Sequence, residues 1–210
     1  PGEEPEISAA IEAVFADEHI AVLTAATVEK VLAGGGHKLV SVRTRAGVSE
    51  LRAEHVLVAT GRRPNTAGLG LEAVGVGVDG RGAVIVDDRQ RTDNARIWAA
   101  GDVAGGPQFV YVAAAQGTLV ADNAFADADR VLDYATVPRL TFTSPAIAAV
   151  GLTEAEAVTA GYRCRCRTLA LSSVARALVN RDTRGLAKIV ADARAVAEAS
   201  RERPRGSDSR

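Results

Sequence analysis

Gly101-Asp102 closes a short apolar run, Ile97-Trp98-Ala99-Ala100, that is fed by the polar turn Thr92-Asp93-Asn94-Ala95-Arg96. In an open α/β sheet, ligands collect at the carboxyl ends of the strands. A carboxylate standing there, beside a residue with no side chain, can accept hydrogen bonds from a ligand hydroxyl that approaches the backbone. Gly105-Gly106-Pro107-Gln108 follows, and then a helix-like stretch that begins Phe109-Val110-Tyr111-Val112 and continues through alanines. The start of that helix aims free N–H groups and the positive end of its dipole back toward the same crevice, an arrangement suited to an electron-rich group. An Asp after a strand often serves only as a helix cap or turn residue. The helix start that follows Asp102 argues instead for half of a nucleotide-cofactor site.

These residues need elements to hold them. Ile7, Ala10, Ile11, Val14 and Phe15 recur at helical spacing, which predicts an amphipathic helix with one buried face. Residues 20–23 have the pattern of a short buried strand. Residues 27–32, 39–44 and 49–52 follow as a three-stranded meander, with Gly34-Gly35-Gly36 and Ala46-Gly47 at its turns. Residues 55–60 form a central strand that runs into the Gly61 turn, and residues 83–86 a further strand. The helix after Pro107 extends to about residue 125, with a polar linker over 127–130. Thr153 is placed to cap another helix, with Glu156 at capping-box spacing, and residues 163–171 and 186–190 are expected as strands. The fold class expected is α/β, becoming α+β in the C-terminal part.

Bulk properties exclude several functions. The 210 residues are 47% hydrophobic, so the chain has the composition of one or two globular domains and not of a disordered segment. A net charge of −1 gives no electrostatic case for a nucleic acid or an anionic membrane as partner. No apolar stretch has the length of a membrane span, and no signal peptide is evident. Two cysteines exclude a disulfide scaffold and make a reducing cytoplasm the natural setting. The absence of methionine, even at position 1, leads to the expectation that Pro1 lies in mid-protein and that the chain is a fragment.

Other residues invite sharper readings. Gly68-Leu69-Gly70-Leu71-Glu72-Ala73 and Gly75-Val76-Gly77-Val78-Asp79-Gly80 both spell a GxGxxG/A pattern. The dinucleotide fingerprint requires a strand before it and a helix after it. The first follows a Pro-Asn turn and the second leads into a strand, so both are taken as loop and helix-cap glycines. Cys164 and Cys166 share a strand face at i and i+2 and could hold a soft metal together, with Arg163, Arg165 and Arg167 lowering their pKa values. Adjacent cysteines on one strand make a strained disulfide, so the plainer expectation is two incidental thiols on a surface strand. His19, His37 and His55 stand apart from one another and are expected to be structural.

The run from Thr92 to Asp102 resembles the second flavin-binding motif of the flavin- and nicotinamide-dependent disulfide reductases. Ala59-Thr60-Gly61-Arg62-Arg63-Pro64-Asn65-Thr66 resembles the segment that leads from their nicotinamide domain back to their flavin domain. Within that family, residues 107–115, Arg176-Ala177-Leu178-Val179-Asn180 and Asp182-Thr183-Arg184-Gly185 are most similar to the mercuric reductases. The resemblance spans residues 6–190. It implies partial FAD- and NAD(P)-binding Rossmann-like domains followed by the start of an α+β dimerisation domain. Residues 1–60 would be the C-terminal half of the NAD(P)-binding domain, 61–133 the C-terminal part of the FAD-binding domain, and 134–190 the first part of the interface domain. Residues 191–210 would be a non-homologous tail.

By the same resemblance, Asp102 would bind the ribityl or pyrophosphate part of FAD, and the Val110 N–H would face the pyrimidine end of the isoalloxazine ring. Gly101 and Phe109 would flank these contacts, and Gly61 would lie beside the nicotinamide cofactor. The implied activity passes electrons from NADPH through FAD to a cysteine pair that reduces Hg(II) to Hg(0), in a homodimer. A dithiol-disulfide reductase like dihydrolipoamide dehydrogenase is the first alternative; a non-catalytic remnant or a thiol-based metal binder is the second. The family's redox cysteines stand four residues apart, and its dithiol-reducing members add a late His-carboxylate pair; its mercury-reducing members add terminal vicinal cysteines. None of these occurs here. No catalytic residue or metal ligand is therefore assigned, and the chain alone is expected to be inactive.

Overall fold

The computed structural model describes residues 2–126 and 128–195. In chain order the elements are α1 (Pro5–Asp17), β1 (Thr27–Gly34), β2 (His37–Thr44), β3 (Gly47–Ala53), α2 (Val110–Phe125), β4 (Arg139–Thr141), β5 (Ile147–Ala149), α3 (Glu154–Thr159), β6 (Arg167–Ala170), α4 (Ala175–Asn180) and β7 (Leu186–Ile189). Short 3-10 turns occupy Glu72–Val74, Asp102–Ala104 and Leu171–Ser173. Among the described residues, one compact unit joins those up to Val58 with those from Leu140 onward; the other lies within Ala59–Arg139.

In the first unit, α1 starts with a proline, whose missing N–H would have had no helical partner there. Val14 is its buried anchor. The meander forms as the sequence predicts. β1 pairs antiparallel with β2 from Thr27↔Arg43 to Gly34↔His37, and β2 with β3 from Lys38↔Ala53 to Thr44↔Gly47. Gly35 and Gly36 both have positive φ, at 59° and 78°, as the two central residues of a tight hairpin turn whose twist matches its strands. α3 carries the expected capping box: the Glu156 N–H donates to Thr153 Oγ1 at 3.3 Å, and the Thr153 N–H donates to Glu156 Oε2 at 2.8 Å. β6 pairs with β7 from Arg167↔Ile189 to Ala170↔Leu186.

Several expected strands do not form ladders. Residues 20–23 and 55–59 belong to no strand, and Ile20, Val22, Leu23, Val56, Leu57 and Val58 are exposed, Leu57 at 91%. An apolar run becomes a strand only when a neighbour pairs its N–H and C=O groups, and none does so among the described residues. Residues 83–86 make only a single bridge, Val78↔Val84. The strand expected over 163–171 is shortened to β6, yet pairing resumes outside it: Cys164 bridges Asp192, the Arg165 N–H donates to Ala191 O at 2.8 Å, and the Ala193 N–H donates to Arg163 O at 2.7 Å. Residues 191–193 thus continue the sheet at the point where a non-homologous tail was expected to begin; residues 196–210 of that expectation lie outside the described residues.

The second unit is built on Val76, Val84 and Ala99, with Leu71, Val86, Ile97, Val103 and Ala104 packed around them. α2 runs to Phe125 and buries Val112, Gln116, Leu119 and Asn123, one stripe at helical spacing. Its two buried amides are occupied. Gln116 accepts from the Gly101 N–H at 2.6 Å and donates to Tyr134 Oη at 2.7 Å. Asn123 donates to Arg130 O at 2.8 Å and accepts from the Arg130 N–H at 2.7 Å. The stretch expected as a polar linker is therefore tied down: Asp129 pairs with Arg89 at 2.5 Å, and Arg130 with Asp122. Asp127 lies outside the described residues.

Candidate functional site

The run 97–100 ends where the core ends. Ala99 within it is buried, and the chain then turns at Gly101 with φ 81° and ψ −158°. Two constraints require glycine there. An L side chain is strained at that φ, and a Cβ would stand 3.2 Å from Ala113 Cβ, on the first turns of α2. The Gly101 N–H bond to Gln116 locks the same junction from the helix side. Strand end and helix are thus fastened together, and Asp102 is carried out beside them.

The Asp102 side chain is not used as a cap: the 3-10 turn it begins has Gly101 as N-cap and no side-chain capping bond. Its carboxylate instead accepts from Arg62 Nη1 at 2.7 Å. Arg62 Nη2 also donates to Gln108 O at 2.5 Å. One guanidinium therefore joins the Gly101-Asp102 turn to the loop that leads into α2. Both side chains of the ion pair are well exposed, at 59% and 41%, so the pair is worth roughly 0–1 kcal/mol and yields readily to a ligand.

α2 opens toward solvent without a side-chain cap. Phe109, its N-cap, is extended at φ −122° and ψ 145°, and its ring stacks on that of Tyr111 at 5.3 Å. The Tyr111 hydroxyl donates to Pro138 O. Val110, the first helical residue, is 87% exposed. A sixteen-residue helix thus presents free N–H groups and its positive dipole end beside an acceptor carboxylate. Gly61 has φ 113° with open space where a Cβ would stand.

Of the residues singled out from the sequence, Gly101, Asp102, Phe109 and Val110 belong to one junction of turn and helix start. Gly61 is the chain neighbour of Arg62, which reaches into that junction. Arg62 itself was not foreseen. Its signal was its place next to Gly61, but an ion pair across forty residues leaves no periodicity to read. The decoy glycines behave as loop residues: Gly75, at φ 71°, ends the 3-10 turn Glu72–Val74.

The other titratable cluster lies in the first unit. Lys188, only 6% exposed, places Nζ 2.9 Å from carboxylate oxygens of Glu4, Glu6 and Glu154. These hydrogen bonds raise the lysine above its ordinary range and hold Glu6 and Glu154 below theirs. A cleft of about 470 Å³ opens there, but its carboxylates already face the lysine. The cysteines were expected to be incidental thiols, with arginine-lowered pKa values the sharper alternative. Against that alternative, burial and the Glu154 carboxylate push the Cys166 thiol up, and Arg163, Arg165 and Arg167 are exposed.

Comparisons with known proteins bear on both units. The sequence profile described as pyridine nucleotide-disulphide oxidoreductase matches residues 1–117, and the profile of the dimerisation domain of those proteins matches 137–196. A mercuric reductase of Streptomyces lividans is 57% identical over 190 residues, 90% of this chain and 40% of the relative. A dihydrolipoyl dehydrogenase of Mycobacterium leprae (strain TN) is less similar, 40% identical over 196 residues, 92% of this chain and 42% of its own length. Among solved structures, the Cu(II) complex of the HOCl-induced flavoprotein disulfide reductase RclA of Escherichia coli superposes with a TM-score of 0.84 at 33% identity. It covers 92% of this chain and 44% of that one. The chain spans less than half the length of each of these proteins.

Proposed function

Since the chain belongs to the pyridine nucleotide-disulphide oxidoreductases, we propose that Ala59–Arg139 carries the later part of an FAD site in a protein that reduces Hg(II) to elemental mercury with NADPH. The observation that carries the flavin reading is the joining of Asp102 and the uncapped start of α2 through one guanidinium. The donor set fits the cofactor: an acceptor for ribityl hydroxyls, free amides for an electron-rich ring edge, and a glycine turn that lets a ligand approach the backbone. Bound FAD supplies a reversible two-electron carrier between a nicotinamide and a disulfide.

The chain's own groups then do the following. Asp102 binds at the ribityl or pyrophosphate portion, where its carboxylate accepts hydrogen bonds from ribityl hydroxyls. The Val110 N–H, at the positive end of α2, stabilises negative charge at the pyrimidine end of the ring and so favours the reduced state. Gly101 and Phe109 hold these two groups in register. Gly61 leaves the nicotinamide approach open. In this reading, residues 1–60 complete a nicotinamide domain, 61–133 a flavin domain, and 134–190 begin the interface of a cytoplasmic homodimer. The tail proposed over 191–210 overlaps the dimerisation-domain match, which runs to residue 196, and the pairing of 191–193.

Mercury is favoured over a dithiol substrate by the 57% identity to a mercuric reductase, against 40% to a dihydrolipoyl dehydrogenase. The product of the full reading frame, purified with FAD, should oxidise NADPH when given Hg(II) and release elemental mercury. Turnover with lipoamide in place of Hg(II), and none with Hg(II), would overturn the substrate assignment.

A further inference from the structure

Arg163, Cys164, Arg165, Cys166 and Arg167 alternate along the segment entering β6, with the arginines exposed and both cysteines half-buried. A period of two places both sulfurs on one side. Both meet the same residue at the start of α3. Cys164 Sγ lies 3.9 Å from Glu154 O, and the Cys166 side chain neighbours the Glu154 carboxylate. Lys188 holds that carboxylate in place at 2.9 Å. The backbone of the segment is fixed by the Cys164↔Asp192 bridge and by the Arg165 and Arg163 bonds to residues 191 and 193. Two thiols are thus held as an oriented pair with a proton acceptor beside them.

We propose that Cys164 and Cys166 chelate a soft, thiophilic metal ion such as Hg(II), at a site in the unit that does not contain Asp102. Sulfur ligands select soft ions. No group of three or more His, Cys, Asp or Glu side chains among the described residues could hold a metal, so the site suits an ion content with two sulfurs and not tetrahedral zinc. Binding breaks two S–H bonds and forms two sulfur–metal bonds. Two protons leave to solvent, and nothing is oxidised or reduced. The site requires no cofactor, so it stands or falls separately from the flavin reading.

The chain has only two cysteines, which makes the test direct. The reduced 210-residue chain is titrated with Hg(II) against a monothiol competitor, while free thiols, mass and thermal midpoint are followed. One equivalent should remove both thiols, add one metal to a monomer, and raise the midpoint, because the ion binds the folded pair. Cys164→Ser and Cys166→Ser should each retain Hg(II) roughly 100-fold less well, since chelation is lost. A thiol left free at one equivalent, two metals per chain, mercury-bridged dimers or a midpoint that does not rise would overturn the proposal. The wild-type readings decide the matter even where a variant fails to fold.

Discussion

Asp102 makes no capping bond and meets a single arginine across forty residues, an exposed pair that contributes little to stability. A carboxylate so lightly engaged is available to a ligand. Asp102→Ala should weaken FAD retention roughly 10–100-fold, the worth of about 1.5–3 kcal/mol for a hydrogen bond to a charged group. Fluorescence titration would measure it, and unchanged retention would remove Asp102 from the site. Gly101 and Asp102 were legible because their signal is local: an apolar run, a residue without a side chain, an acid, a helix start. Arg62 was not, because its partners are set by tertiary folding. The cysteines show the same limit. Their alternation with arginines was visible, but the burial and the Glu154 carboxylate that push the Cys166 thiol up come from tertiary packing.

At the scale of elements, the sequence foretold those that satisfy their own backbone. The β1–β2–β3 meander pairs with itself through tight turns, and the capping box of α3 needs only residues three apart. Thr153→Ala should lower stability by about 1 kcal/mol in urea unfolding, the usual worth of an N-cap; no change would mean that the α3 start is held otherwise. Residues 20–23 and 55–60 misled for the opposite reason, since such strands depend on neighbours that their own composition cannot specify. Lys188 gathers α1, α3 and β7 into one charge cluster. Glu6 and Glu154 are held below their ordinary 4.5, so their contribution is complete above that pH and is lost as pH falls through their lowered folded values. Lys188 is raised above 10.5, so its contribution is complete below that pH and fades only as pH rises through the folded value. The thermal midpoint should therefore hold level between these limits and fall on acidification below about 4.5. Lys188→Met should flatten that acid limb; an equally steep fall in the variant would contradict the cluster's role.

At the scale of the molecule, the chain carries two family regions and spans less than half of its relatives' length. Its two cysteines stand two residues apart, not four, and their thiols lie in the unit that lacks Asp102. The isolated 210-residue chain with FAD and NADPH should therefore show no Hg(II)-dependent NADPH oxidation, and measurable turnover would contradict this. Flavin capture is the separate and more basic property. Among the described residues no helix is long and apolar enough to cross a membrane.

The most direct measurement is FAD binding to the wild-type chain and to Val110→Pro. Proline is well tolerated at the first position of a helix, and Phe109 before it already has the extended backbone a following proline demands, so the change deletes one N–H and leaves α2 intact. The wild type should take up one FAD per chain. The variant, with unchanged helix content, should bind FAD more weakly and hold it with a lower reduction potential. An absence of FAD binding by the wild type, or a variant identical to it in affinity and potential, would contradict the account.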